Sequence, residues 1–269
     1  MHPTLFSFGP IRVFTYGFFL ALAFLAAIVV SGREAQRVGR RPEQIYDLCF
    51  YIVLAAIIGS RLFHVLLEFP YFLAHPLDIF LLWKGGLAFQ GGLAAGLLTA
   101  LVYLKLKHLP VLATFDLLAV GAPLGQFLGR LGCFMAGCCY GRACDLPWAV
   151  TFTHPETLAP MGVPLHPAQL YESLLALGVF GIIWVCRKRK SFNGQLLFLY
   201  LMLAGVVRFI VEFFRGDERG PEVLAGMPVT QIVALGLAVC SGVLLLWGSR
   251  RRASQVRRAS QTSQASRAE

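Results

Sequence analysis

The sequence predicts an all-α integral membrane protein of about seven transmembrane helices, and three observations carry that prediction. Of 269 residues, 57% are hydrophobic and only 14% are charged, whereas soluble domains are about 25% charged. Long apolar stretches follow one another along the whole chain, several of them long enough to cross a bilayer. The net charge of +10 is gathered in short basic blocks between those stretches. Such blocks mark cytoplasmic loops and not a nucleic-acid surface, so no nucleic-acid partner is expected.

The apolar spans run approximately over Phe14–Ser31, Tyr46–Leu67, Gly86–Leu104, Val111–Gly129, Leu170–Cys186, Leu196–Phe214 and Val229–Trp247. The first is preceded by a single basic residue, Arg12, and lacks a small-residue cleavage motif, so it is a retained helix and not a signal peptide. The third is the weakest. Its Gly85, Gly86, Gly91, Gly92 and Gly96 permit either close helix approach or a broken helix beside a cavity. Sixteen of the 24 Lys and Arg residues fall in alternate loops and the C-terminal tail, at 33–41, 105–107, 187–190 and 250–267. This asymmetry places the N-terminus outside and the C-terminus in the cytoplasm. Residues 1–248 form a single transmembrane domain. Residues 249–269, rich in Arg, Ser, Gln and Ala, form a basic disordered tail, solvated or lying on anionic headgroups. The outer segments, Leu131–Gln169 and Glu68–Trp83, are proline-punctuated loops expected to cap a polar cavity.

Five charged residues lie in or at the rim of these spans: Arg61, Asp116, Arg130, Arg208 and Glu212. Each costs at least about 2.5–3.5 kcal/mol at bilayer depth unless paired, hydrated or used. Three are arginines, which suits a cavity holding an anion, and lipid phosphate is the obvious one. Arg130 opens the segment GRLGCFMAGCCYGR, residues 129–142, whose glycines allow close backbone approach to a ligand. Its guanidinium can fork onto a phosphate. Arg208 and Glu212 are four apart and share a helix face. Glu212 either neutralises Arg208 or aims it at a ligand, and Arg215 lies near the interface. The segment HPAQLYE, residues 166–172, sets His166, Gln169 and Glu172 at the mouth of the fifth span, with Tyr171 as an interfacial anchor. His166 is suited to accept a proton near neutral pH. Cys133, Cys138, Cys139 and Cys144 crowd one outer loop, where an oxidising compartment favours disulfides of unassigned connectivity. A zinc site, whose common patterns the C-x4-CC-x4-C spacing does not match, and a thiol nucleophile at Cys138 are the alternatives.

These residues resemble the prolipoprotein diacylglyceryl transferases, membrane enzymes of bacteria. The resemblance rests on GRLGCFMAGCCYG together with GSRLFHVL at 59–66, GGLAFQGG at 85–92, Asp116 with Pro123, HPAQLYE, and RFIVEFFR followed by Asp217. It implies a multi-pass protein of the inner membrane that moves the diacylglyceryl group of phosphatidylglycerol onto the lipobox cysteine of a prolipoprotein signal peptide. A thioether forms and glycerol phosphate leaves. No cofactor and no metal are called for. Arg130 and Arg208 match the family's functional arginines, with His166 and Glu212 beside them as candidate catalytic groups. Arg61, Gln90, Gly91, Gly92, Gln169, Tyr171, Glu172 and Arg215 are the candidate substrate-binding residues.

The chain departs from the family pattern at telling positions. Cys133, Ala136 and Cys138 stand where the family has two asparagines and a glutamate. Gln90 stands where it has a histidine, and Ala204 where it has a tyrosine one turn before the arginine of the sixth span. Glutamine cannot accept a proton at neutral pH, so the base lies at His166, Glu172 or Glu212, or the acceptor thiol ionises without one. Three other readings stay open: a related phospholipid-dependent transferase with a different acceptor, a non-catalytic phospholipid-binding protein, and a thiol–disulfide enzyme using Cys138 and Cys139, which lack the C-x-x-C spacing.

Overall fold

The computed structural model describes residues 2–8, 11–81, 85–217, 222–224 and 226–268. Trp83, where the second outer loop is expected to end, and Glu269, the end of the tail, lie outside them. The described chain is helical apart from three two-stranded antiparallel ribbons. Seven helices are long and apolar enough to cross a membrane. They are α1 (Thr15–Arg37), α2 (Pro42–Leu67), α4 (Phe89–Leu106), α5 (Val111–Ala136), α6 (Ala168–Cys186), α7 (Gln195–Glu212) and α8 (Val229–Ala268). A short helix, α3 (Phe69–Ala74), and a 3-10 turn at Pro76–Phe80 follow α2. Many large apolar side chains on the long helices are exposed, among them Phe50, Leu62, Leu98, Leu174 and Val233. That is the surface a lipid-facing helix presents.

Two boundaries differ most from the sequence expectation. α5 continues through Arg130 to Ala136, so the first half of the glycine-rich segment is helical and only its second half is loop. Glycine is tolerated in membrane helices, and the left-handed turn begins only at Gly137, with φ of 76°. α8 runs past Trp247 and through the tail expected to be disordered, reaching Ala268. The run from Ser249 to Ala268 contains no glycine or proline, and its Arg, Gln and Ala are good helix formers.

The chain divides into two compact units, each described by itself. The smaller, residues 32–114, is built on the packing of α2 against α4. Gly59 and Gly91 make that contact possible. A Cβ on Gly91 would overlap the carbonyl oxygen of Gly59, and a Cβ on Gly59 would overlap Ala95. Gly92 lies against the Ala56 carbonyl in the same seam. This is close approach through small residues, the usual basis of helix association in lipid.

The larger unit, residues 1–31 and 115–269, holds α6, α7 and α8 with most of α1 and α5. Its main apolar core joins Ala119, Val120, Ala168, Val179, Ile183, Leu196, Val207 and Val211. α7 starts at a cap borrowed from another helix. Asp116 of α5 accepts the backbone N–H groups of Gly194 at 2.7 Å and Leu197 at 2.9 Å, and pairs with Lys190 at 2.8 Å. One intramembrane charge is thereby explained, since a carboxylate at a helix N-terminus satisfies orphan donors and opposes the helix dipole.

Between α5 and α6 the chain builds a small cap with its own core of Phe152, Ala159 and Leu165, against which Phe134 and Tyr140 pack. A ribbon of Val150–Thr151 with Pro164–Leu165 forms its edge. Backbone bonds lace the second half of the signature to two other segments. Gly141 N–H donates to His166 O, His166 N–H to Arg142 O, Arg142 N–H to Phe214 O and Gly216 N–H to Tyr140 O. Any Cβ at Gly141 would overlap the His166 and Phe214 carbonyls. Three sequence segments that carry the candidate residues are therefore tied together by main chain.

Candidate active site

Glu172 is the hub of the larger unit. It sits one turn into α6 and is almost fully buried. Its carboxylate receives Arg130 Nη2 at 2.9 Å, Gln126 Nε2 at 3.3 Å and Arg208 Nη1 at 3.5 Å, with Arg215 Nη1 at 4.0 Å. Arg130 and Gln126 come from one face of α5, and Arg208 comes from α7. Three guanidiniums from separate segments thus converge on one carboxylate. A charge at this depth demands a partner, and here the partners are shared.

Secondary partners divide the three arginines. Arg215 is held by Asp217 through two bonds, at 3.0 and 2.7 Å, and its side chain is only 6% exposed. Arg208 also pairs with Glu212 at 3.1 Å, and Glu212 accepts the Thr230 hydroxyl at 2.7 Å. The i,i+4 pairing read from the sequence is present. Arg130 and Arg208 keep 22% and 24% of their side-chain surface open. They are the two guanidiniums that can meet an incoming anion without first breaking a bidentate pair.

Around this hub lie the other sequence-predicted residues. Gln169 Nε2 donates to the Cys138 carbonyl at 2.9 Å, fixing the loop after α5 onto the start of α6. Its Oε1 is buried with no hydrogen-bond partner among the described residues. His166 Nδ1 lies 3.2 Å from the Tyr171 hydroxyl, which accepts Trp148 Nε1–H at 2.8 Å, and the His166 ring packs edge-on against Phe214. No hydrogen bond or ion pair among the described residues joins His166 to Arg130, Arg208 or Arg215. His166 therefore belongs to an aromatic cluster beside the hub.

Arg61, Gln90, Gly91 and Gly92 belong to the smaller unit. Arg61 is buried, and its guanidinium donates to four backbone carbonyls: Ile79 at 3.0 Å, Gly85 at 2.7 Å, Gly86 at 3.0 Å, and Asp78. It also lies over the Phe72 ring. Every part of the guanidinium is engaged in holding the chain that follows α2. Gly91 and Gly92 face α2, as described above, and Gln90 lies at the exposed start of α4.

The cysteines depart from the disulfide expectation. All seven are free thiols. Cys133, Cys138 and Cys139 bring their sulfurs within 4.8 Å of one another, while Cys144 stands outside the group. Cys139 adopts a left-handed φ of 60°, uncommon for a residue with a Cβ. Hydrogen bonds from Cys133 and Cys138, then the positive charges of Arg215 and Arg130, hold the Cys139 thiol well below the ordinary thiol range. The opposite holds for Cys138, pushed up by its hydrogen bonds to Cys133 and Cys139 and by burial.

The sequence reading passed over Gln126, Tyr200, Asp217 and Thr230 as site residues. Gln126 carried a signal, since it lies one turn before Arg130 on the same face. Tyr200 sits two turns before Arg208 and its hydroxyl reaches Gln126 at 3.5 Å. Thr230 had no local signal, because its partner lies on another helix.

Residues 3–247 match the family model described as prolipoprotein diacylglyceryl transferase. The chain belongs to that family. Among its relatives, a protein of Bordetella avium is 36% identical over 94% of this chain and 97% of its own length. A protein of Geobacter sulfurreducens is 37% identical over 83% of this chain and 86% of its own. One of Clostridium tetani is 34% identical over 82% and 88%. All three are named phosphatidylglycerol–prolipoprotein diacylglyceryl transferase. Seven helices able to cross a membrane suit a chain whose relatives are named for a membrane phospholipid.

Proposed function

We propose that this chain transfers the diacylglyceryl group of phosphatidylglycerol to a prolipoprotein, with the lipobox cysteine thiol as acceptor and glycerol phosphate as leaving group. Family membership makes it a transferase of this kind. The setting is the inner membrane of a bacterium, N-terminus outward and C-terminus cytoplasmic, which the distribution of Lys and Arg supports.

The observation that carries the reading is the convergence of Arg130 and Arg208 on Glu172 with both guanidiniums still partly open. Phosphatidylglycerol presents a phosphodiester whose negative charge grows as the glycerol carbon–oxygen bond breaks. Guanidiniums already positioned by a buried carboxylate stabilise that charge without reorganising. Glu172 is then a positioning residue, and Glu212 steadies Arg208 from the other side. Gln169 and the Tyr171–His166 pair shape the adjoining wall, and Arg215 with Asp217 ties down the loop after α7. The thiol must also ionise, since the thiolate is the nucleophile. The lone pairs of Glu172 are taken by Arg130, Arg208 and Gln126, Glu212 is held by Arg208 and Thr230, and His166 is turned to Tyr171.

The test uses purified protein, phosphatidylglycerol labelled in its diacylglyceryl moiety, and a lipobox peptide carrying Cys or Ser. Label is expected on the Cys peptide alone, with rescue of a strain depleted of its own transferase. Absence of product with Cys would contradict the reading. A second reading, a different acceptor, is favoured by Gln90 and by Cys133 and Cys138 at signature positions. It would be supported by label on a small thiol, amine or hydroxyl acceptor but none on the peptide.

A further inference from the structure

Three thiols at the end of α5 have no part in the clamp formed by Arg130, Arg208 and Glu172. They are assembled by backbone and not by chance proximity of flexible chains. Cys133 lies in the last turns of α5, and the left-handed Gly137 and Cys139 fold the following residues back over it. Cys138 Sγ reaches the Cys133 carbonyl at 3.7 Å, and Gln169 clamps the Cys138 carbonyl from α6.

Three sulfurs within 4.8 Å of one another lie close to the spacing of a thiolate metal site. Metal–sulfur bonds of about 2.3 Å place tetrahedral sulfurs about 3.8 Å apart, a difference that side-chain rotation closes. Three protein ligands with a fourth position open is the arrangement of reactive zinc sites, whereas structural sites are closed by four. Three thiolates and a divalent cation leave one negative charge. The positive charges of Arg130 and Arg215 act on the Cys139 sulfur, and outer partners of this kind stabilise metal-bound thiolates.

We propose that Cys133, Cys138 and Cys139 form a trithiolate site for a thiophilic divalent cation of the zinc type, with its fourth position open to the acceptor thiol. The second clause rests on the transferase reading above. Loading the site releases the remaining thiol protons to solvent. The acceptor thiol then displaces a bound water and gives its own proton to solvent, because a coordinating thiol is deprotonated outright. Its sulfur attacks the glycerol carbon. A carbon–sulfur bond forms, the carbon–oxygen bond breaks, and the electron pair leaves on the phosphate oxygen beside Arg130 and Arg208. No side-chain base is needed, which accounts for glutamine at position 90 and for the engaged states of Glu172, Glu212 and His166.

The experiment titrates the reduced, full-length protein in detergent with Co2+ as a spectroscopic stand-in for zinc. One equivalent is expected to bind with sulfur-to-cobalt charge transfer in the near ultraviolet and tetrahedral bands in the visible. Cys138→Ser and Cys139→Ser should each weaken binding by about tenfold or more, at least the loss seen when only an outer partner is removed. Cys240→Ser should bind as the parent does, and thermal melting confirms that each variant folds. A lipobox peptide with Cys should intensify the charge-transfer band, and the Ser peptide should not. Absence of the band in protein whose thiols remain titratable would overturn the site. Persistence of the band in the double variant Cys138→Ser, Cys139→Ser would do the same. Full diacylglyceryl transfer after the metal has been stripped would overturn the proposal while leaving the transferase reading intact. A band that responds to the Cys peptide without any transfer from phosphatidylglycerol would support the site and count against the transferase reading.

Discussion

Arg61 in α2 and Arg130 in α5 face the same problem, a guanidinium inside an apolar helix, and meet it with different partners. Arg61 spends its donors on four main-chain carbonyls and is buried at 6% exposure. Arg130 meets a carboxylate that it shares with Arg208, and both keep about a quarter of their side chains open. Carbonyls cannot leave without unfolding the loop, so Arg61 is committed to structure. A shared carboxylate can release a guanidinium N–H to an incoming phosphate, so Arg130 and Arg208 remain available for chemistry. Burial of charge alone therefore does not distinguish a scaffold arginine from a working one; the kind of partner does.

The comparison breaks if the two classes of arginine fail alike. Arg130→Ala or Arg208→Ala should lower diacylglyceryl transfer by about 10²–10³, the loss typical of removing one donor from a charge-stabilising site, with the protein still folded by thermal melting. Glu172→Ala should act on stability as well, by about 3–5 kcal/mol, because it strands guanidiniums in the interior. A denaturation series on Glu172→Ala and Glu172→Gln measures this, and Gln should be the milder. Arg61→Ala should leave carbonyls unsatisfied at about 1–3 kcal/mol each, read as a lower melting temperature before any change in transfer rate. Asp116→Ala should cost about 0.5–2 kcal/mol, the worth of a helix cap.

The smallest effect concerns pH. Cys139 is held below the ordinary thiol range by its sulfur neighbours, Arg215 and Arg130. In metal-free reduced protein it should stay thiolate as pH falls below about 8.5, the ordinary thiol value. Its alkylation by iodoacetamide should then persist at pH 6, where a peptide cysteine has become unreactive. Peptide mapping of the modified protein reads this directly, and equal decline of both thiols would remove the electrostatic account of the cluster.

Much of this was legible in the sequence for physical reasons. Hydropathy marks the spans because the bilayer allows only apolar helices of that length. The Arg208–Glu212 pair follows from helical periodicity. Glu172 was visible as a polar residue at a helix mouth, but its role was not, since its partners lie 42 and 36 positions away on other helices. The end of α5 was misplaced because Gly129 and Gly132 suggest a loop, and only Gly137 adopts a left-handed φ. The cysteines were expected as disulfides on compartment grounds. The backbone turn at Cys139, which gathers three of them as thiols, leaves no trace in composition.

The most direct test of the central claim is the rate of labelled diacylglyceryl transfer to a lipobox Cys peptide by Arg130→Lys and Arg208→Lys beside Arg61→Lys. Lysine keeps the charge but loses the fork that meets a phosphate in two places. The account predicts that the first two variants fold normally and transfer at about a hundredth of the parent rate or less, whereas Arg61→Lys transfers at the parent rate per folded molecule. Parent-level transfer by folded Arg130→Lys and Arg208→Lys would contradict it.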